Sequence, residues 1–167
     1  MRTTPRGAAA AVLALLSLTT AGGARAMERK EAEAVCTSWK LSCPEGTEPF
    51  GGAKLLFAFC RKPGPTPATP PVKHGPLVSC TAQGRLKSLV HWSEGVRHGP
   101  TVSVTPDGAR TEAEYVQGKK DGREVHYDAD GRVAWEDRWA GGVRLTHAIV
   151  GPDGARQVLE LASPSEP

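Results

Sequence analysis

Glycine recurs in this chain at a fixed interval, and that interval restricts the fold more than any other feature. Gly75, Gly99 and Gly122 lie 24 and 23 positions apart. Gly84, Gly108, Gly131 and Gly154 lie 24, 23 and 23 apart. Gly95 and Gly118 are 23 apart, and Gly141 or Gly142 closes their series. Three series keeping one period indicate a repeat architecture, in which units that cannot bury their apolar surface alone must stack on their neighbours.

Each unit reads as strand, turn, strand, turn. After the first glycine, apolar residues stand two apart: Val78 and Cys80, Val102 and Val104, Val125 and Tyr127. A turn follows at Gln83-Gly84, Asp107-Gly108, Asp130-Gly131 and Asp153-Gly154. Asp-Gly suits a type I′ hairpin, which needs positive φ at both central positions. A longer strand then alternates with period two: Leu86, Ser88, Val90, Trp92; Ala109, Thr111, Ala113, Tyr115; Val133, Trp135, Asp137, Trp139. Mostly polar residues fall between them, among them Lys87, His91, Glu112, Glu114, Glu136 and Arg138. Leu89 on the polar side and Asp137 on the apolar side break the pattern. The G-x-x-x-G stretches at Gly95–Gly99 and Gly118–Gly122 read as a second tight loop. The fourth unit is degenerate, as terminal repeats often are.

The stretches H-G-P at His74–Pro76 and His98–Pro100, P-D-G-A-R at Pro106–Arg110 and Pro152–Arg156, and E-Y-V-Q-G-K-K-D-G at Glu114–Gly122 resemble the MORN repeat. The resemblance is to the bacterial variant of YwqK-type proteins, described as antitoxins, and it covers residues 74 to about 161. It implies a twisted row of antiparallel hairpins, no shared catalytic residues and, as one functional reading, an antitoxin or immunity-type protein that masks a toxin. The expected fold is all-β: an elongated, single-layer array of antiparallel β-hairpin repeats fronted by a small disulfide-tied module.

Residues 1–26 read as a secretory signal peptide, with Arg2 and Arg6 before the apolar run Ala8–Leu18 and a small-x-small site at Ala24-Arg25-Ala26. The predicted location is therefore exported, periplasmic or extracellular, in a bacterial envelope. The chain carries 21 Lys+Arg and 18 Asp+Glu, and the first 26 residues hold three of those arginines and no acid. The remainder balances at 18 of each, which argues against nucleic acid and against electrostatic membrane docking as partners. Cys36, Cys43, Cys60 and Cys80 predict two disulfides in an oxidising compartment. Three pairings are open, with Cys43–Cys60 and Cys36–Cys80 favoured. The spacing lacks the C-x-x-C knuckle of a structural zinc site, so no metal is expected. Residues 27–61 form the cysteine module, in which 27–35 could make a short, fraying helix. The proline-rich stretch 62–72 reads as a stiff linker, residues 73–161 as the repeats and 162–167 as a loose tail.

No G-x-S-x-G, H-E-x-x-H, P-loop or dinucleotide motif occurs, and the sequence calls for no catalytic residue and no cofactor. His74 and His98 share one slot in successive units, which repetition explains without a function. Glu112 and Glu114 fit a solvated face paired across strands. Trp92, Tyr115 and Trp139 recur at one position, and with Trp135 they form either a stacked apolar stripe or an exposed binding ladder. The expected function is a non-enzymatic protein-binding or scaffolding role in the envelope, engaging another protein through the sheet or its edges. A glycan-binding role is the further alternative.

Overall fold

In the computed structural model, described for residues 25–161 except residue 67, ten strands form one open antiparallel sheet in strict chain order. They are β1 (Glu48–Gly52), β2 (Phe57–Lys62), β3 (Val72–Cys80), β4 (Leu86–Ser93), β5 (Val96–Val104), β6 (Arg110–Val116), β7 (Lys119–Tyr127), β8 (Val133–Ala140), β9 (Val143–Val150) and β10 (Arg156–Glu160). One helix, α1 (Arg29–Ser38), precedes them. Of the expected signal peptide, residues 1–24 lie outside the described residues, as does the tail 162–167.

The glycine period sets the hairpins, but the type I′ turns expected at Asp-Gly lie instead at the other ends of the strands. At Asp107-Gly108 and Asp130-Gly131 only the glycine has positive φ, 97° and 82°. There Gly108 N–H donates to the Thr105 carbonyl (3.0 Å) and Thr105 N–H to the Ala109 carbonyl (2.8 Å). That is a three-residue loop, a type I turn followed by a left-handed glycine. The type I′ pairs are Glu94-Gly95 (φ 49°, 81°), Gln117-Gly118 (50°, 81°) and Gly141-Gly142 (56°, 90°), at the opposite ends of the strands. Asp-Gly tolerates either geometry, so only loop length decides. The second glycine of each G-x-x-x-G is not in a loop: Gly99 lies inside β5 opposite Tyr115, and Gly122 inside β7 opposite Trp139.

The cysteine segment, tied by both disulfides, is continuous with the repeat sheet. It supplies β1 and β2, and β2 pairs directly with β3 from Lys62↔Val72 to Phe57↔Ser79. The proline-rich stretch therefore closes a hairpin within the sheet instead of spacing two domains.

The helix is longer than the sequence suggested. Glu28 and Glu31 form a reciprocal capping box at its start, and Trp39 ends it in the left-handed conformation (φ 55°). Ala32, Val35 and Cys36, spaced i, i+3 and i+4, make its buried face. They pack on Ala58, Val78, Cys80, Leu86, Leu89 and Val102. The Cys36–Cys80 disulfide ties the helix to β3, and Cys43–Cys60 ties the segment after it to β2. Leu89, a misfit in the sequence pattern, is the best-buried leucine, 1% exposed beneath the helix. It lies on the face where Ala58, Val78 and Val102 are its successive cross-strand neighbours. A register shift at the start of β4 sets Leu86 opposite Cys80, which brings it to the same face. Burying Leu89 and Val78 this fully contributes about 1.5–3 kcal/mol each. Beyond the helix the same rung runs Glu112, Val125, Glu136, Ala148, where Arg123 and Arg156 close over the buried Glu136 in place of the helix.

Candidate functional site

The face opposite α1 is covered by no helix among the described residues, and it carries the recurring aromatics. Trp92, Tyr115 and Trp139 sit there, each directly opposite a strand glycine: Gly75, Gly99 and Gly122. All three rings are half-buried. At Gly99 the φ of 100° is what favours glycine, since an added Cβ would make only ordinary contact, 3.4 Å, with the His91 Cβ on the other face. Trp135 shares the aromatic face but belongs to another rung. Its ring stacks on His126 at 5.2 Å, and His147 lies 6.1 Å away.

A second series, which the sequence reasoning missed, interleaves with the aromatics. Lys73 Nζ lies 4.5 Å from the Trp92 ring centre, the Arg97 guanidinium 5.5 Å from Tyr115 and 5.9 Å from Trp92, and Lys120 Nζ 4.6 Å from Trp139. The backbones of the same three residues join consecutive units. The carbonyls of Lys73, Arg97 and Lys120 accept the N–H of Gly95, Gly118 and Gly142 at 2.8–2.9 Å. Gly142, and not Gly141, is thus the structural equivalent of Gly95 and Gly118. Lys73, Arg97 and Lys120 stand two positions before each strand glycine, 24 and 23 apart, a signal that was readable in the sequence, and Arg144 follows 24 later without a glycine. Each cation–ring contact contributes about 0.5–2 kcal/mol, depending on how far water is excluded. Toward the N-terminus the ladder continues into Phe59, Phe50 and Phe57, with the Arg61 guanidinium 4.5 Å from the Phe50 ring centre.

Below the ladder the face grades from apolar to charged. The register runs Phe59, Leu77, Val90, Thr101, Ala113, Glu124, Asp137, His147. Glu124 and Asp137 face each other across β7 and β8, and both are buried. Glu124 accepts from Lys120 Nζ (2.6 Å) and Trp139 Nε1 (2.9 Å). Asp137 lies 2.5 Å from His147 Nδ1 and accepts from Arg144 Nη1 (3.3 Å). Asp137, out of place in the sequence pattern, is therefore half of a locked acidic pair. The first unit lacks this lock. Leu77 holds the place of Glu124, opposite Val90, and Trp92 Nε1, the counterpart of Trp139 Nε1, is buried without a hydrogen-bond partner, as is Thr101 Oγ1 on β5.

The remaining polar residues are committed elsewhere. His91 is 7% exposed; its Nε2 accepts Met27 N–H (3.0 Å) and its Nδ1 meets the Pro100 carbonyl (2.7 Å). Burial holds its pKa below the ordinary histidine value, against the opposing pull of the Pro100 carbonyl and Glu114. A groove of about 690 Å³ at the start of α1 is lined by His74, His91, Pro44 and Pro100. His74 Nδ1 lies 3.0 Å from Glu94 in the type I′ turn. Glu112 pairs with Arg110 (2.8 Å), whose guanidinium stacks 3.6 Å from the Tyr127 ring centre. On the helix side of the sheet, Glu136 accepts from Arg123 through both oxygens (2.9 Å each) and from Arg156 (2.7 Å). Its carboxyl is held down to about 2, chiefly by the Arg123 hydrogen bonds and then by Arg156, against desolvation. Among the described residues no three His, Cys, Asp or Glu side chains converge as metal ligands, and no helix is long and apolar enough to cross a membrane. Compared with known proteins, the chain matches no family model and no curated relative.

Proposed function

We propose that this protein is an exported, non-enzymatic binding module that recognises another protein on the face opposite its helix. The observation that carries the reading is the alternation on that open face: Lys73, Trp92, Arg97, Tyr115, Lys120, Trp139. Rigid aromatics supply contact area at small entropic cost, and cations between them select an acidic partner. Lys120 and Arg144 are partly neutralised by Glu124 and Asp137. Arg97 is exposed and makes no carboxylate contact among the described residues, so it is the cation most available to a partner. Export rests on the signal-peptide pattern of residues 1–26 and agrees with two disulfides, which persist in oxidising compartments. The MORN-like pattern of residues 74–161 agrees with a binding role and assigns no chemistry.

The test is co-purification from the envelope of tagged wild-type protein and of an Arg97→Glu variant with unchanged circular dichroism. A specific protein recovered by the wild type and lost from the variant supports the reading. Equal recovery by both removes the face from consideration, and recovery of an acidic glycan without protein transfers the site to the glycan-binding alternative.

A further inference from the structure

We infer that β10 is a self-complementary edge through which two copies of this chain join their sheets into one. This surface is distinct from the aromatic–cation face and does not depend on it.

Among the described residues, nothing pairs with the outer edge of β10. All five residues of β10 are exposed, and beside them stand large apolar side chains: Val158 (55%), Leu159 (55%), Ile149 (48%) and Leu161 (47%). An unpaired strand with apolar residues on both faces is a template for another strand. The direction of its free backbone groups follows from the pairing already made. Leu161 N–H donates to the Leu145 carbonyl, and the Ala155 carbonyl accepts from Gly151, both on the β9 side. Alternation then turns the N–H and C=O groups of Gln157 and Leu159 toward β9, and those of Arg156, Val158 and Glu160 outward.

The segment Arg156-Gln157-Val158-Leu159-Glu160 read against itself in reverse specifies one antiparallel register about a two-fold axis at Val158. Val158 meets Val158 of the second copy, and Arg156 meets Glu160 twice. The three outward-facing residues are the ones this register pairs through the backbone. Opposite charges stand directly across from each other, which favours it over registers displaced by two residues; Arg156 turns from Glu136, which keeps its two Arg123 bonds, to make the pair. Leu159 meets Gln157 of the other copy, beside that copy's Ile149. The far edge does not compete. β1 reads Glu-Pro-Phe-Gly-Gly, and Pro49 offers no N–H. With one adhesive edge per chain, the product is a closed two-fold dimer and not a filament.

Three variants of the full chain, with both disulfides formed, test this by sedimentation equilibrium across a range of concentrations. The wild type is expected to show a concentration-dependent dimer. Val158→Pro removes an outward donor without touching the bonds to β9, and it is expected to weaken the dimer at least about tenfold, the equivalent of one or two hydrogen bonds. Glu160→Arg sets Arg against Arg, and Arg156→Glu sets Glu against Glu while taking one partner from Glu136, so each alone is expected to dimerise poorly, and slow hydrogen exchange at the Leu161 N–H verifies that β10 stays paired with β9 in both. Mixed one to one, they are expected to form the heterodimer that restores both opposite pairs. A wild type that stays monomeric at all concentrations overturns the inference. So does a dimer indifferent to Val158→Pro, or a mixture that associates no better than its components.

Discussion

The Glu136 carboxylate is the charged group whose contribution is best defined by this structure. Its side chain is 8% exposed, and Arg123 and Arg156 grip it from strands on either side, at 54% and 51% exposure. A pKa lowered from 4.5 to about 2 corresponds to a ceiling of roughly 3 kcal/mol, at about 1.4 kcal/mol per unit. Water around the half-exposed guanidiniums reduces this to about 1–2 kcal/mol. The folded pKa lies below the unfolded one, so the stabilisation is complete above about pH 4.5 and is lost as the pH falls from there toward 2. Glu136→Gln keeps the shape and removes the charge. Urea unfolding of both proteins at pH 7, 4 and 2.5 gives the difference directly, with other carboxylates cancelling between the two. Wild type is expected to be more stable by about 1–2 kcal/mol at pH 7, with the gap closing steadily toward pH 2.5. A gap that stays constant over that range would show that packing, and not the carboxylate charge, holds β7, β8 and β10 together there.

Other outcomes follow from the same geometry. Leu89→Ala empties a site sealed by α1 and is expected to lower stability by about 2–5 kcal/mol, measured by denaturant unfolding; a loss below 1 would mean the helix does not seal that face. Gly118→Ala places a side chain at φ 81° with its Cβ 3.2 Å from Val96 Cγ1, and about 1–2 kcal/mol of stability should be lost. For His91 the folded pKa is the lower one, so the native state refuses a proton that the unfolded chain accepts, and stability should fall as the pH drops below about 6.5. His91→Gln should flatten that window while leaving the more acidic Glu136 window in place.

Much of the fold was legible because a hairpin is a local object. Glycine spacing located the turns from β3 to β10, and the period-two alternation located β4, β6 and β8. Turn type was not legible, since Asp107-Gly108 and Gln117-Gly118 are both acceptable to either geometry and the count of intervening residues decides between them. The cations Lys73, Arg97 and Lys120 were in plain view with the right period. They went unmarked because their relation to Trp92, Tyr115 and Trp139 runs across strands, where sequence distance does not measure proximity.

The chain by itself determined that it must turn back about every 12 residues, that its strands pair with their immediate neighbours, and that four cysteines close on each other. Which face is interior was decided only in three dimensions. Leu89 and Trp92 stand on opposite sides of one strand, and either could have been the buried one. The choice falls to α1, held against β3 by a disulfide between residues 44 positions apart. A thin sheet has no inside until something covers it, and coverage is a contact between distant parts of the chain that local alternation cannot encode.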